Sequence, residues 1–597
     1  MEVRLRSRMS LLLAGGLLLC GFCAIGLRTA VGSHAASPVV YVFPIPGANV
    51  AGPKTQITFR GVPASQIGSI TVTGSVSGAH AGRVLADSDG MGGSFLPSAP
   101  FTAGELVTVS TGLSIAGATA GSFSFTIATP AGNIRGGGLP TAPAVKGEVT
   151  TYVSRPDLQT ASTKVIKRPS SAAPGDIFVA PQRGPAQEGP MILGPYGGLI
   201  WFKPMPKNIT ATDFRVQTYQ GKPALTWWQG SISGLGVGEG YGAIYNSSYH
   251  QVATVKAGNG PGADLHEFQI TSQDTALITA YYPVIWNSSS VKGGSKRSVV
   301  LDAIVQEIDL PTGLVLYQWD SLDHVPVSDS HQPYPTTPNT PYDYFHVNSV
   351  QEATDGSLIV SARNTWAAYD LSHQTGAINW TLNGKHSSFT MGPNTSFAFQ
   401  HDARLQANDQ ITIFDDGAGP PVVHKQSRAL TLQLDMTNMT ATLASQDQHR
   451  PGLLAEFEGS VQPLPNGDEF VGWGQQPNYT EFNARGQTVF DGRFVSNLTY
   501  RAYRFPWSGA PTTLPAVAAK VSGTKTTVYA SWNGATNRTG WRILAGTRAG
   551  SLKAVAKFSS RAFESVIGIG SGEQYVAAQA LDSHGQVLAI SHTVKIP

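Results

Sequence analysis

The sequence predicts an all-β chain whose centre is a six-bladed β-propeller between two smaller β-sandwiches. Three observations predict it. The 597 residues include 66 glycines and 39 prolines but only 13% charged residues, the profile of short strands joined by many turns. No long amphipathic helical period stands out after the N-terminus. From about residue 150 to 507 one strand pattern returns, at roughly 60 residues per copy, within reach of a four-stranded blade plus its loops.

The first 36 residues read as a targeting segment. Arg4, Arg6 and Arg8 precede an uncharged stretch from Met9 to Leu27, and Ser33-x-Ala35 suits a signal peptidase. The stretch is close to the roughly 20 residues that span a bilayer, so an uncleaved anchor stays open. Both cysteines, Cys20 and Cys23, lie inside this segment. A cleaved product would carry no disulfide, thiolate metal site or cysteine nucleophile. The expectation is a secreted or cell-envelope protein, with association to a membrane or envelope through the N-terminal segment. Asn208, Asn246 and Asn287 begin glycosylation sequons that matter only in a eukaryotic host. The net charge of +3 is small, and no basic run is interleaved with aromatics, so no nucleic-acid partner is expected.

Residues 38–130 read as an immunoglobulin-like sandwich, with short strands TQITFRG, SITVTGSV, LVTVSTGL and GSFSFTIA separated by Gly, Pro and Ser. The stretch TPAGNIRGGGLPTAPAV is a linker by composition. The blades of 150–507 start with DIFVAPQ to GLIWFKP and PALTWWQG to HQVATVKA. Three histidine segments follow, then EFEGSVQPLPNGDEFVGWG with YTEFNARGQTVF. A seventh blade stays open if YRAYRFPW belongs to a split closing blade. In residues 513–597, TTVYASWNGAT, TGWRILAG and EQYVAAQALDSHGQVLAIS resemble strands of a fibronectin type III domain, with Trp532 and Tyr575 as core residues.

The chemistry gathers on the three histidine segments. His266, His346 and His401 stand at one register of successive copies, each followed four residues later by a branched apolar residue, Ile270, Val350 or Leu405. Inner strands of a propeller face one another across the channel, so the three rings should converge. Folding the hairpin at Asp355-Gly356 brings Arg363 within about two positions of His346. Asn348, two residues along from His346, should share its face. The matching position of the last copy is Gly459 or Ser460. His250, His324, His331, His373, His386, His424 and His449 read as solvated surface, and Asp415-Asp416-Gly417 as a turn rather than a calcium site.

Three imidazoles suggest a metal. An arginine beside them would repel one, having no lone pair to offer, and no paired carboxylate is evident: Glu267 and Asp402 should point away as strand neighbours. Histidines plus arginine make an anion pocket instead, in which one ring attacks while others hold the oxygens.

HVNS at 346–349, SAR ending at Arg363, QHDARL at 400–405 with FDDG at 414–417, and GSVQPLPNG at 459–467 resemble the motifs of the arylsulfotransferase family, over about residues 150–507. The resemblance implies an exported six-bladed propeller that moves a sulfuryl group from a phenolic sulfate to a phenol, with no nucleotide donor, no cofactor and no metal. It implies that His401 is the nucleophile, forming a transient sulfohistidine. His346, Arg363 and His266 would be catalytic residues holding the sulfuryl oxygens, with Asn348 the polar residue beside the second histidine. Ser460 and Trp473 join Asn348 as expected substrate-binding residues, Trp473 by stacking on an aryl ring. The cysteine pair of some bacterial members is absent, and the C-terminal module has no counterpart. A metal-dependent polysaccharide lyase or hydrolase and a non-enzymatic glycan-binding adhesion protein are the alternative readings.

Overall fold

The computed structural model describes residues 39–132, 145–337 and 340–597. The expected targeting segment with its two cysteines, and most of the expected linker, lie outside the described residues. Among the described residues every extended element is a β-strand, and the helical ones are single 3-10 turns.

Residues 40–128 form two four-stranded antiparallel sheets. Alternation builds their shared core: Val107 and Val109 of Leu106–Ser110 are buried while Leu106 and Ser110 are exposed. These side chains pack with Ile57, Phe59, Phe95, Phe123 and Phe125. The module is tied to the central region by Gln56 and Thr58, which donate to the Val315 carbonyl at 2.8 and 2.7 Å.

The central region is a succession of antiparallel sheets, each built outward from a first strand. One sheet carries Thr210–Tyr219 first, and a single bridge between Gly240 and Ala263 joins it to the sheet that begins at Ala263–Ile270. The next sheets begin at Val347–Glu352, His401–Leu405 and Ser460–Pro463. The strand Leu498–Phe505, which contains YRAYRFPW's first residues, pairs antiparallel with Asp176–Gln182 and so completes the sheet formed by the earliest part of this region. The first strands touch in chain order, and Leu498–Phe505 touches both Thr210–Tyr219 and Ser460–Pro463, which closes the ring.

Charge rather than hydrocarbon fills the centre of that ring. Glu267 binds Arg215, Arg404 at 2.5 Å and Arg501 at 3.4 Å. Asp213 holds Arg501 at 2.9 Å, and Asp402 holds Arg404 at 2.8 Å. Backbone completes the network: the Val350 and Val461 amides donate to Glu267 and Asp402, while Arg501 donates to the Asn348 carbonyl. Every first strand contributes a group. Burial works to raise the Glu267 carboxyl, but Arg404, Arg501 and Arg215 outweigh it and hold the group far below the usual carboxylate range.

Residues 516–595 form a three-stranded and a five-stranded sheet around Val528, Trp541, Ile543, Ile567 and Val576. Trp541, rather than Trp532, is the fully buried tryptophan. It points inward with Ile543 and Ala545 by strand alternation, whereas Trp532 lies just past the end of Lys525–Ser531 and donates to the Thr513 carbonyl. Tyr575 is only half-buried. Asn533 anchors the module by exchanging hydrogen bonds with the Phe202 backbone at 3.0 and 2.9 Å.

Removing one charge from a buried network leaves its partners uncompensated, at about 3–5 kcal/mol. Glu267→Gln, close in shape but neutral, is expected to lower unfolding free energy by about that amount, read as a shifted urea midpoint at constant slope. A change below about 1 kcal/mol would mean that the ring does not depend on this carboxylate.

Candidate active site

Above the ion network lies a pocket of about 680 Å³ that His266, His346, His401, Arg363, Tyr500 and Glu458 line together. The His266 and His346 ring centroids are 4.8 Å apart, and Tyr500 meets His266 at 5.6 Å and His401 at 6.5 Å. The Tyr500 hydroxyl donates to the His266 and Asn348 carbonyls. Arg363 stands beside His346 because its amide donates to the His346 carbonyl at 2.9 Å. Its guanidinium lies over Phe399 and is held by Asn364 Oδ1 and the Glu456 carbonyl, both at 2.8 Å.

Local backbone geometry, rather than plain strand alternation, turns these groups inward. His346, Asp402 and Glu458 have φ of 57°, 54° and 67°, left-handed values that cost non-glycine residues about 1–3 kcal/mol and concentrate at functional sites. Each stands at the start of a first strand. Gly459 has φ 118°, and a Cβ there would come 2.3 Å from the Phe414 ring. Only glycine fits.

Each histidine has a carboxylate on Nδ1. His266 pairs with Asp264 at 2.5 Å, His346 with Asp343, and His401 with Asp416 at 2.8 Å. This corrects the expectation that no paired carboxylates accompany the rings. Glu267 and Asp402 do point away, into the ion network. The true partners come from two or three residues upstream, or from across the hairpin where His401 pairs with Phe414. Carboxylates at Nδ1 fix ring orientation and leave Nε2 for the pocket.

His401 differs from the other two. Its Nε2 receives the Glu458 amide N–H at 3.3 Å. An amide nitrogen only donates, so Nε2 carries the lone pair and Nδ1–H donates to Asp416. Burial, then the Arg363 cation and the other two histidines, hold this imidazole well below its ordinary value. Burial also lowers His266, against the opposing pull of Asp264. Among the described residues no group of three or more His, Cys, Asp or Glu is arranged to hold a metal ion.

Three expected substrate-binding residues are not in the pocket lining. Asn348 is fully buried and donates to the Gln400 carbonyl at 2.7 Å. The left-handed His346 and the register shift between Val347 and Ser349 break the alternation that would have kept it beside the ring. Ser460 is spent bridging to the Ala502 backbone. Trp473 is a core residue, fully buried against Phe414, His449 and Phe482, and it donates to Thr480. Several histidines read as solvated are also engaged. His449 is buried against Asp491, His331 stacks on Trp366 at 3.7 Å, and His373 and His424 bind Glu307 and Asp415.

Asp264, Asp343, Tyr500 and Glu458 escaped the sequence reading, and Asp416 was read only as part of the FDDG motif and its turn. The D-x-H spacing of Asp264 was a usable signal, since i and i+2 share a strand face. Glu458 and Tyr500 had none, because they come from other sheets.

Fold and site together define an all-β protein with a buried imidazole–guanidinium pocket. Residues 215–495 match the model of the arylsulfotransferase (ASST) family. No curated protein matches the chain. Solved structures resemble it only distantly. A protein of unknown function from Bacteroides caccae has 10% identity, TM-score 0.35, and coverage of 55% of this chain and 98% of its own. For a protein from Lactobacillus plantarum the values are 11%, 0.28, 66% and 99%. For virginiamycin B lyase from Staphylococcus aureus with quinupristin they are 7%, 0.28, 62% and 97%.

A histidine with a depressed folded-state value resists protonation, so its contribution to stability is present above about pH 6.5 and is lost as pH falls below that. In ¹⁵N NMR, His401 is expected to be neutral and Nδ1-protonated at pH 6.5, with a midpoint below the free-imidazole value. Asp416→Asn should move the proton toward Nε2. An Nε2–H tautomer in the wild type would refute this assignment.

Proposed function

We propose that the chain is an exported aryl sulfate sulfotransferase that works by a ping-pong mechanism through a sulfohistidine. In this reading the ring of sheets is a six-bladed propeller spanning 150–507. An immunoglobulin-like module at 38–130 and a fibronectin type III-like module at 513–597 flank it. The closed contact order of the first strands and the family match over 215–495 support the reading.

The observation that carries the mechanism is the His401 tautomer. With Asp416 on Nδ1, the lone pair lies on Nε2, where the long 3.3 Å contact from the Glu458 amide must give way for it to attack. In the first half-reaction that lone pair attacks the sulfur of a phenolic sulfate. The S–O bond to the aryl oxygen breaks, and its electron pair leaves with the phenol oxygen. His266, His346 and Arg363 hold the sulfuryl oxygens as charge redistributes, and Asp416 stabilises the positive charge on the ring. In the second half an acceptor phenol oxygen attacks sulfur and the S–N pair returns to His401. Nothing in this route uses a nucleotide donor or a metal.

The test incubates the full chain with a chromogenic aryl sulfate and a phenol acceptor. His401→Ala is expected to abolish transfer, a loss of at least about 10³-fold. Wild-type protein quenched after donor alone should carry a sulfuryl adduct on His401. Donor cleavage that persists unchanged in His401→Ala would overturn the nucleophile assignment.

A further inference from the structure

We propose that Glu458 is the proton donor and acceptor for the phenolic oxygen, serving the leaving phenol in the first half-reaction and the entering phenol in the second; this rests on the sulfuryl-transfer reading above.

The chemistry calls for such a group. An unperturbed phenol titrates near about 10, so near neutrality the acceptor enters with its proton and an unactivated donor leaves as a strong base. The groups gathered around His401 have other tasks in that reading. His401 supplies the attacking lone pair. His266 and His346, held through Nδ1 by Asp264 and Asp343, turn Nε2 to the sulfuryl oxygens. The Tyr500 hydroxyl donates to two backbone carbonyls, and a guanidinium has no proton to give.

Glu458 is differently placed. It lines the histidine pocket, and the residue is only 8% exposed. Its Oε1 accepts from Gln182 Nε2 at 3.1 Å, while Oε2 is buried without a partner. The left-handed turn that aims its amide at His401 Nε2 roots the Glu458 backbone next to the nitrogen that would carry the sulfuryl group. Gln182, which holds the carboxyl, lines a neighbouring cavity of about 1040 Å³, and Arg183 and Ile232 line both cavities. The carboxyl therefore stands where the two cavities share lining residues.

The groups facing it are Arg183 and Gln182 on one side, His401 and Asp416 on the other, with Arg363 close by on the Glu456 carbonyl. Burial pushes the carboxyl up to about 7, against the opposing pull of Arg183 and Gln182. A group that titrates near the working pH can run in both directions. In the donor half the protonated carboxyl gives its proton to the aryl oxygen as the S–O bond breaks, becoming carboxylate. In the acceptor half that carboxylate takes the phenol proton as the new O–S bond forms and the S–N bond breaks. One turnover restores both residues.

The experiment compares wild type with Glu458→Gln on phenyl sulfate and on a nitrophenyl sulfate, whose phenol leaves without protonation. Glu458→Gln is expected to lower kcat/KM for phenyl sulfate by about 10²–10⁴-fold and for the nitrophenyl ester far less. The wild-type donor half-reaction on phenyl sulfate should fall as pH rises through about 7, and this limb should vanish in the variant. Adduct formation from the nitrophenyl ester, with an unchanged melting curve, confirms that the variant is folded and that His401 still reacts. Equal losses on both esters, or an unaltered pH limb, would overturn the role of Glu458. A wild-type protein that transfers from neither ester would instead overturn the sulfuryl-transfer reading itself. Should the variant fail to fold, wild-type leaving-group dependence decides: a steep fall in rate with phenol basicity at low pH contradicts protonation of the leaving group.

Discussion

Glu267 is the point on which the architecture turns. One carboxylate is shared by Arg215, Arg404 and Arg501, groups from three separate first strands, and a fourth strand reaches it through the Val350 amide. Asp213 and Asp402 balance the remaining positive charge. A ring of strands leaves a channel too polar in backbone to be filled by hydrocarbon alone. Charge–charge contacts can satisfy those backbone carbonyls and amides while fixing each strand relative to the rest. Buried ions are weak sources of net stability but strong penalties against misregistered alternatives. Here they fix the register of the sheets on which the site stands.

The pocket inherits its precision from that floor. His266 and Glu267 are chain neighbours on opposite faces, as are His401 and Asp402; one member of each pair enters the pocket and the other the network. Any slip of a first strand would carry a histidine away with its charged neighbour. The left-handed residues His346, Asp402 and Glu458 add short kinks that plain strands lack. Their strain persists because the surrounding sheet and ion contacts over-determine it.

Within the pocket, equivalence among the rings is broken by single contacts. All three have a carboxylate partner, so pairing alone does not select a nucleophile. The Glu458 amide at His401 Nε2 distinguishes this ring from the other two, since it marks where the lone pair lies. The same residue brings a buried carboxyl to the junction of two cavities. In the proposed reaction, backbone and side chain of one turn thus serve two different atoms.

Periodicity, turn composition and motif order were enough to read an all-β chain, the convergence of His266, His346 and His401, and the return of Arg363 beside His346. These follow from local rules: strands alternate, hairpins fold back, and repeated copies place repeated residues alike. The same rules misplaced Asn348, because one left-handed residue resets alternation, and Trp473, because aromatic content does not distinguish a pocket wall from a core. Asp416, Tyr500 and Glu458 were decided only by tertiary structure, since they reach the histidines across sheets or across a hairpin. The sequence by itself determined which chemical groups are present and on which strands. The ring's closure, enforced by the Glu267 network, decided which of them meet, because contact between distant strands depends on a geometry that no local pattern encodes.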